Sequence, residues 1–305
     1  MSRPFRFGVQ GAPFGDPAAL ADHARHVEAL GYAELWSFDH VGAVDPLAPL
    51  LAAALATTRL RVGPLVLNNE LHHPALLART AATIDRLSGG RLTLGFGTGY
   101  QLSEHTATGI ELRAPGPRVT RLGESLEVVT ELLDTGACRY SGEHHTVDLD
   151  DLGVRPVQEH VPILLGGHGR RVVALAGRFA DIYQFTGLTH AADGTIGIDG
   201  FDIAELDARA RWLAEAAGER DHLIERSALV QALAVGDTAA TADEWPERFG
   251  LPAGTLAESP FVLAGSVEQI VDKLDRLRQR LGITHYVVRD PDAFAPVVAA
   301  LAAPA

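Results

Sequence analysis

The chain has 305 residues, 47% of them hydrophobic, and its 26 basic and 39 acidic residues give a formal net charge of −13. This charge repels phosphate backbones and excludes nucleic acid as an expected partner, and no run approaches the roughly 18 apolar residues of a membrane span. The first residues enter a strand pattern without the apolar core of a secretory signal, so we expect a cytoplasmic globular protein with no membrane partner.

Eight short apolar segments alternate with amphipathic helical patterns along the chain. Apolar runs of this length are typical of strands in a buried parallel sheet. We predict strands at 5–9, 35–38, 62–67, 92–96, 163–165, 180–185, 228–235 and 285–288. We predict helices at 17–30, 46–57, 74–87, 119–133, from 170 onwards, 201–217, 238–249, 267–281 and 291–301.

This alternation predicts the fold class α/β, in the form of one closed (β/α)8 TIM barrel over residues 1–305. No composition break marks a linker between two domains. Insertions are expected after strands four, six and seven. They comprise a hairpin at 139–149, a polar glycine-rich loop at 187–200 and an irregular segment at 251–259.

Residues 61–100 read as strand, helix and strand, and both strands end in polar or glycine-rich residues. Ligands of parallel α/β sheets lie at the carboxyl ends of the strands, so a binding site is expected there. An open Rossmann sheet is the alternative architecture. Its G-x-G-x-x-G fingerprint is missing, because Gly95, Gly97 and Gly99 are followed by Tyr100.

The same stretch resembles the luciferase-like monooxygenase superfamily, and in particular its coenzyme F420 oxidoreductase branch. The hallmark LGxxVLN, followed by RHPxxLAREAATLDxLSGGRLxLGxGxG, corresponds here to VGPLVLN and HHPALLARTAATIDRLSGGRLTLGFGTG, with His72 in place of the arginine. The likeness extends from Phe5 through Val288. It implies a luciferase-like barrel that binds coenzyme F420 and moves a hydride between the deazaflavin and a small organic substrate. Because barrel relatives are often dimers, it also implies a homodimer.

Two other functions fit the same resemblance. One is a monooxygenase that uses reduced flavin mononucleotide (FMN) and oxygen. The other is a non-catalytic protein that binds F420 or a flavin, because the dehydrogenase branch has a glutamate acid where this chain has Tyr100.

The candidate catalytic residues are His40, Asp39 and Tyr100. Asp39 and His40 end the second strand, where neighbouring side chains of an extended backbone point to opposite sides unless a turn reorients one. His40 is expected to transfer a proton, since an imidazole titrates near neutral pH, and Asp39 to anchor the cofactor or substrate. The resembled dehydrogenases have a similar Asp-His pair, although the tryptophan that follows it is Val44 here. Tyr100 would donate a hydrogen bond or line the pocket, with Glu104 as a nearby substitute acid.

The resemblance also implies which residues contact the cofactor ring. Relatives carry a non-proline cis peptide under the ring, and by alignment the candidate here is Leu65-Val66. The glycine-rich turn after the fourth strand would let backbone approach the cofactor. An ordinary strand end and a bare tight turn are the alternatives. The predicted ring contacts are Leu65, Val66, Asn68, Gly97, Thr98, Gly99 and Gln184.

Gly166, Gly167, His168 and Gly169 follow the fifth strand and open a helix, where unpaired backbone N–H groups can bind an anion. Glycine at a helix start for packing reasons is the alternative. The preceding RPVQEHVPILLGG resembles the family's KPVQxPxPPILIGG, which implies that the cofactor phosphate lies here. The motif is not a P-loop, because it lacks Gly-Lys-Ser/Thr.

We predict no metal site, because the spacing of His144, His145 and the aspartates that follow fits neither a zinc nor a calcium loop. A solvated hairpin is the expected structure.

The loop at 187–200 follows the sixth strand on the face where barrel active sites form. Its glycines make the backbone costly to order, so we predict a lid that is mobile without ligand and closes over the cofactor. Plain disorder is the alternative.

Overall fold

The computed structural model describes residues 3–190, 196–236 and 242–302. Its strands are β1 (Arg6–Gln10), β2 (Glu34–Ser37), β3 (Arg61–Pro64), β4 (Leu67–Asn68), β5 (Leu94–Gly97), β6 (Cys138–Ser141), β7 (Thr146–Leu149), β8 (Ile163–Gly166), β9 (Ile182–Phe185), β10 (Thr189–His190), β11 (Ile196–Gly197), β12 (Glu225–Leu229), β13 (Ala232–Val235), β14 (Val262–Gly265) and β15 (Ile283–Val288).

Nine of these segments form one parallel sheet in the order β3-β2-β1-β15-β12-β9-β8-β5-β4. The two ends of this sheet lie together, because β3 and β4 are consecutive halves of the third predicted strand. Val62 in β3 also bridges to Leu92, just before β5. The result is a nearly closed barrel that accounts for all eight predicted strands, so the predicted α/β barrel fold is confirmed.

Helices follow the barrel strands and cover the outside of the sheet. Side-chain caps explain several of their starts: Asp16 accepts from the N–H groups of Ala18 and Ala19, and Ser266 forms a capping box with Gln269. The helices are α1 (Pro17–Ala29), α2 (Ala48–Ala56), α3 (Pro74–Ser88), α4 (Leu102–Thr108), α5 (Pro115–Thr135), α6 (Arg170–Phe179), α7 (Ile203–Ala217), α8 (Trp245–Phe249), α9 (Ala253–Glu258), α10 (Val267–Leu281) and α11 (Pro291–Leu301).

Apolar residues fill both faces of the sheet. A large cluster packs the helices onto the outer face, and a small one lies on the inner face. Since consecutive strand residues point to opposite faces, strands buried on both sides read as continuous apolar runs, which is why the sequence revealed them. The inner cluster consists of Trp36, Leu65, Leu164, Ile182 and Val287.

The predicted seventh strand, 228–235, is wrong in its bounds. The barrel strand is β12, which ends at Leu229, and β13 leaves the barrel to pair with β14. The chain changes course where the N–H groups of Gln231 and Ala232 both donate to the carbonyl of Phe261, at 2.7 and 3.1 Å. The predicted strand therefore contains two strands, and the single polar residue Gln231 stands at the break between them.

Two other local expectations need correction. The segment 251–259, predicted as irregular, contains α9. The short helix α4, which follows the glycine-rich turn, was not predicted. The start of the helix predicted at 238–249 lies outside the described residues, and the described part begins at Trp245.

The predicted hairpin at 139–149 is confirmed, with β6 and β7 antiparallel. In the predicted lid at 187–200, the antiparallel pair β10 and β11 is described, and residues 191–195 lie outside the described part of the chain. Among the described helices, none combines the length and apolar character needed to cross a membrane.

Candidate functional site

A cavity of about 580 Å³ lies at the carboxyl ends of the barrel strands. This volume falls within the usual range for small-molecule and cofactor sites. Of the predicted site residues, all except Gly169 line this cavity. The structure therefore brings together residues that are up to about 150 positions apart in sequence, as the strand order of a barrel requires.

The floor of the cavity is the interruption between β3 and β4. The Leu65-Val66 peptide is cis in the structure, as the alignment suggested. The carbonyl of Leu65 accepts a hydrogen bond from Gln10 Nε2 at 2.8 Å. Gln10 ends β1, is buried and lines the cavity. It was not predicted from the sequence, although a polar residue at the end of an apolar strand is a signal of a binding site.

His40 connects two other polar groups at the cavity wall. Its Nδ1 lies 2.7 Å from Glu104 Oε1, and its Nε2 lies 3.3 Å from the Tyr100 hydroxyl. Since a carboxylate accepts, Nδ1 is the donor, which leaves Nε2 as the acceptor in the neutral ring. Burial, and then the charge of Glu104, raises the pKa of the Tyr100 phenol, so it stays protonated at neutral pH.

Glu104 reaches His40 from α4, the helix that the sequence did not reveal. Its side chain is only 10% exposed, against 38% for that of His40. Glu104 Oε2 is buried and has no hydrogen-bond partner among the described groups. A buried carboxylate that bonds an imidazole is an arrangement that orients the ring and stabilises its protonated form.

Asp39 lines the cavity, but its Oδ2 is engaged by protein groups. Its Oδ2 accepts from the backbone N–H of Asn68 at 2.9 Å and from His72 Nε2 at 2.7 Å. The side chain is 8% exposed. This geometry fits a support for the start of β4, and it explains physically why histidine can stand at position 72, where the family has arginine.

Asn68 fixes the turn that faces it. Its Oδ1 accepts from the N–H of Glu70, and its Nδ2 lies 2.9 Å from His105 Nε2. A Cβ at Gly99 would lie 2.0 Å from Asn68 Oδ1, and Gly99 has a φ of +75°. Only glycine fits this position, both for space and for backbone conformation.

The segment between β8 and α6 provides the candidate anion site. The N-cap of α6 is Gly169, so the first backbone N–H groups of the helix follow directly. A Cβ at Gly167 would lie 2.6 Å from Val172 Cγ1, whereas Gly169 has open space around it. Burial lowers the pKa of His168, which keeps its imidazole neutral beside this segment.

Besides Glu104 Oε2, two further buried oxygens in the cavity wall lack partners among the described residues. They are Gln184 Oε1 and Thr186 Oγ1, and both residues line the cavity. Unpaired buried polar atoms are costly, so a cavity with two of them is suited to a ligand with complementary donors. Thr186 was missed in the sequence because a threonine after a strand carries no distinctive pattern.

Two arginines at the cavity were also not predicted from the sequence. Arg118 donates to the carbonyl of Gly99 at 2.6 Å and so holds the glycine-rich turn. Arg289 follows the last barrel strand and lies 3.3 Å from Gln231 Oε1. Both arginines line the cavity and give it positive charge in a chain that is acidic overall.

Known proteins resemble this chain in sequence. The family model described as luciferase-like monooxygenase matches residues 1–210. A 5,10-methylenetetrahydromethanopterin reductase of Methanopyrus kandleri is 25% identical, with 93% of this chain and 92% of the relative covered. An F420-dependent glucose-6-phosphate dehydrogenase of Nakamurella multipartita is 29% identical, with 94% and 91% covered.

Solved structures share the fold over nearly the full length. An F420-dependent secondary alcohol dehydrogenase, solved with an F420-acetone adduct, has a TM-score of 0.78 and 18% identity, covering 99% of this chain and 100% of that one. A long-chain alkane monooxygenase has a TM-score of 0.79 and 16% identity, covering 99% and 92%. At these identities the likeness establishes the barrel and leaves the chemistry to the residues of the site.

Proposed function

The chain belongs to the luciferase-like monooxygenase family, and from that premise we propose that it is a coenzyme F420-dependent oxidoreductase acting on a small organic substrate. The observation that carries the proposal is the contact of Glu104, His40 and Tyr100 at the wall of a cavity that glycine-rich turns also line. Such a cavity has room for a flat cofactor, and the imidazole offers a proton acceptor beside it.

The residues present fit a deazaflavin or flavin cofactor. Gln184 Oε1 needs a donor, and the Thr186 hydroxyl can donate or accept; the polar edge of such a ring system has both kinds of group. Gly97 and Gly99 keep side chains out of the space beside the floor. The backbone of Gly167 to Gly169 and the N-terminus of α6 would hold the cofactor phosphate.

Coenzyme F420, when bound, supplies or accepts a hydride. The chain's own residues move the accompanying proton: His40 Nε2 accepts it from a substrate that is being oxidised and returns it in the reverse direction. Glu104 holds the Nδ1–H and stabilises the charged ring, and the Tyr100 hydroxyl donates to Nε2 until a substrate hydroxyl takes that position. Glu104 is thus central to the proposed chemistry, whereas the sequence indicated it only as a substitute for Tyr100.

The curated relatives favour F420, while the solved structures that share the fold include complexes with F420 and with FMN. The glucose-6-phosphate dehydrogenases among the curated relatives are F420-dependent by name, at 28 to 30% identity. The M. kandleri reductase, a coenzyme F420-dependent enzyme, resembles this chain in both sequence and structure. The substrates of these relatives are not transferred to this chain, because it has Val44 and Tyr100 where the resembled dehydrogenases have a tryptophan and a glutamate.

A hydride-transfer assay tests this function. We expect that the protein with oxidised F420 bleaches the deazaflavin absorbance with at least one compound from a panel of deuterated alcohols, aldehydes and sugar phosphates, and that mass spectrometry finds the deuterium in the cofactor. Reduced F420 with unsaturated acceptors tests the reverse direction. Incorporation of labelled molecular oxygen into product with reduced FMN, together with no deuterium transfer to F420, would contradict the proposal.

A further inference from the structure

Lys273 is the only lysine in a chain with 26 lysine and arginine residues. Every other basic position is therefore arginine, whose planar guanidinium stays charged and forms forked hydrogen bonds. A lysine ammonium is more compact and can lose its proton. The surroundings of Lys273 therefore show which property of lysine arginine cannot supply.

Lys273 lies in α10 and is buried, with 8% of its surface exposed. Its Nζ donates to the carbonyls of Val262, at 2.6 Å, and Leu256, at 3.3 Å, and so ties α10 to β14 and α9. An ammonium has three N–H donors, and these two carbonyls use two of them. The ammonium is therefore held in place and has a third N–H donor for a further partner.

No described carboxylate forms an ion pair with this ammonium. Glu258, whose charge acts on it from a distance, pairs instead with Arg280 at 3.9 Å. Burial, and then the charge of Arg276, lowers the pKa of Lys273 to about 7, against the small opposing effect of Glu258. A buried cation without a counter-ion is costly, and a bound anion would offset that cost.

Lys273 also lines a second cavity, of about 400 Å³, whose lining shares no residue with the barrel cavity. Trp245 and Leu256 contribute buried apolar walls. Asp272 and Arg276 line it as well, and both are exposed, so one charge of each sign stands at its solvent side. The remaining net charge inside the cavity is that of Lys273.

We propose that this second cavity is a binding site for a small organic carboxylate, with its apolar body against Trp245 and Leu256 and its carboxylate on Lys273 Nζ. The apolar walls favour such a ligand over inorganic phosphate, because burying them requires an apolar surface on the ligand. The charge-assisted hydrogen bond then fixes its orientation. The inference rests on Lys273 and its surroundings and is independent of the cofactor assignment.

A single lysine makes the test unusually direct, because protein labelled with [ε-13C]lysine gives one ε-carbon resonance. With 4-fluorobenzoate as the probe, we expect a saturable shift of that resonance and a rise of about one unit or more in the pKa read from its pH titration. Neutral 4-fluorobenzyl alcohol should leave that pKa unchanged. By fluorine NMR of the probe, Lys273→Met should weaken binding roughly tenfold or more.

Two further variants keep the test decisive. Arg278→Gln removes one positive charge from the same helix outside the cavity, so it should bind the probe as the parent does. Ala264→Leu adds bulk to the cavity lining without touching the charge, so it should weaken binding even if Lys273→Met fails to fold. A lysine resonance and pKa unaffected by 4-fluorobenzoate, or equal affinity in the parent and the folded cavity variants, would overturn the proposal.

Discussion

Replacement of His40 by alanine is expected to lower kcat about 10²- to 10⁴-fold, the range for loss of a general acid or base. The affinity for F420 should change little, because His40 lies at the cavity wall and is not part of the Leu65-Val66 floor, the glycine-rich turn or the α6 terminus. The measurement is steady-state turnover of the substrate found by the hydride-transfer assay, paired with a fluorescence titration of the cofactor. A loss confined to kcat places His40 in the chemical step.

Glu104→Gln is the matched comparison for that variant. It keeps the size of the side chain and a hydrogen bond to His40 Nδ1, but removes the charge that stabilises the protonated ring. We expect a smaller loss of kcat and a displaced pH-rate profile, whereas the alanine variant loses the histidine-dependent limb. Equal kcat in parent and His40→Ala across the pH range would remove His40 from the mechanism.

Replacement of Gly167 by valine is expected to weaken F420 binding about 100-fold or more, because a side chain there displaces the phosphate from the backbone donors of the α6 terminus. The new Cβ would also lie 2.6 Å from Val172 Cγ1, so the segment would have to shift. Isothermal titration gives the affinity, and thermal unfolding shows whether the variant folds.

Two variants separate steric damage from loss of the site. Gly15→Val adds the same side chain at a position with open space away from the cavity, and it should bind F420 normally. Val172→Ala combined with Gly167→Val makes room for the new side chain, so it should recover stability without recovering affinity. If Gly167→Val binds F420 as tightly as the parent, the phosphate lies elsewhere.

The barrel and the face that carries the site could be predicted because both depend on repeated local patterns. Apolar runs such as 92–96 and the glycines around Ser88 mark strand ends and helix stops within a few residues. Residues at the carboxyl ends of parallel strands must converge on one face, so Asp39, Asn68 and Gly97 could be grouped before any contact was known.

The features that were missed depend on contacts between distant parts of the chain. The break between β12 and β13 is set by the Phe261 carbonyl, 30 residues after Gln231, and one polar residue in the apolar run is too weak a signal to predict it. The importance of Glu104 depends on α4, a helix of seven residues. A helix this short shows no clear hydrophobic periodicity, so the sequence does not indicate that Glu104 points toward His40. Asp39 was expected to face a ligand, and only its distances to His72 and Asn68 reveal a support for β4.

Side-by-side titration of the purified protein with coenzyme F420 and with FMN tests the central claim most directly. If the cavity at the carboxyl ends of the barrel is an F420 site, F420 should bind with one-to-one stoichiometry and at least about tenfold more tightly than FMN. Gly167→Val should weaken the binding of F420 and of FMN alike, because both carry a phosphate, and His40→Ala should leave the preference of the parent protein unchanged. Tighter binding of FMN than of F420, or no binding of either by the folded protein, would contradict the assignment.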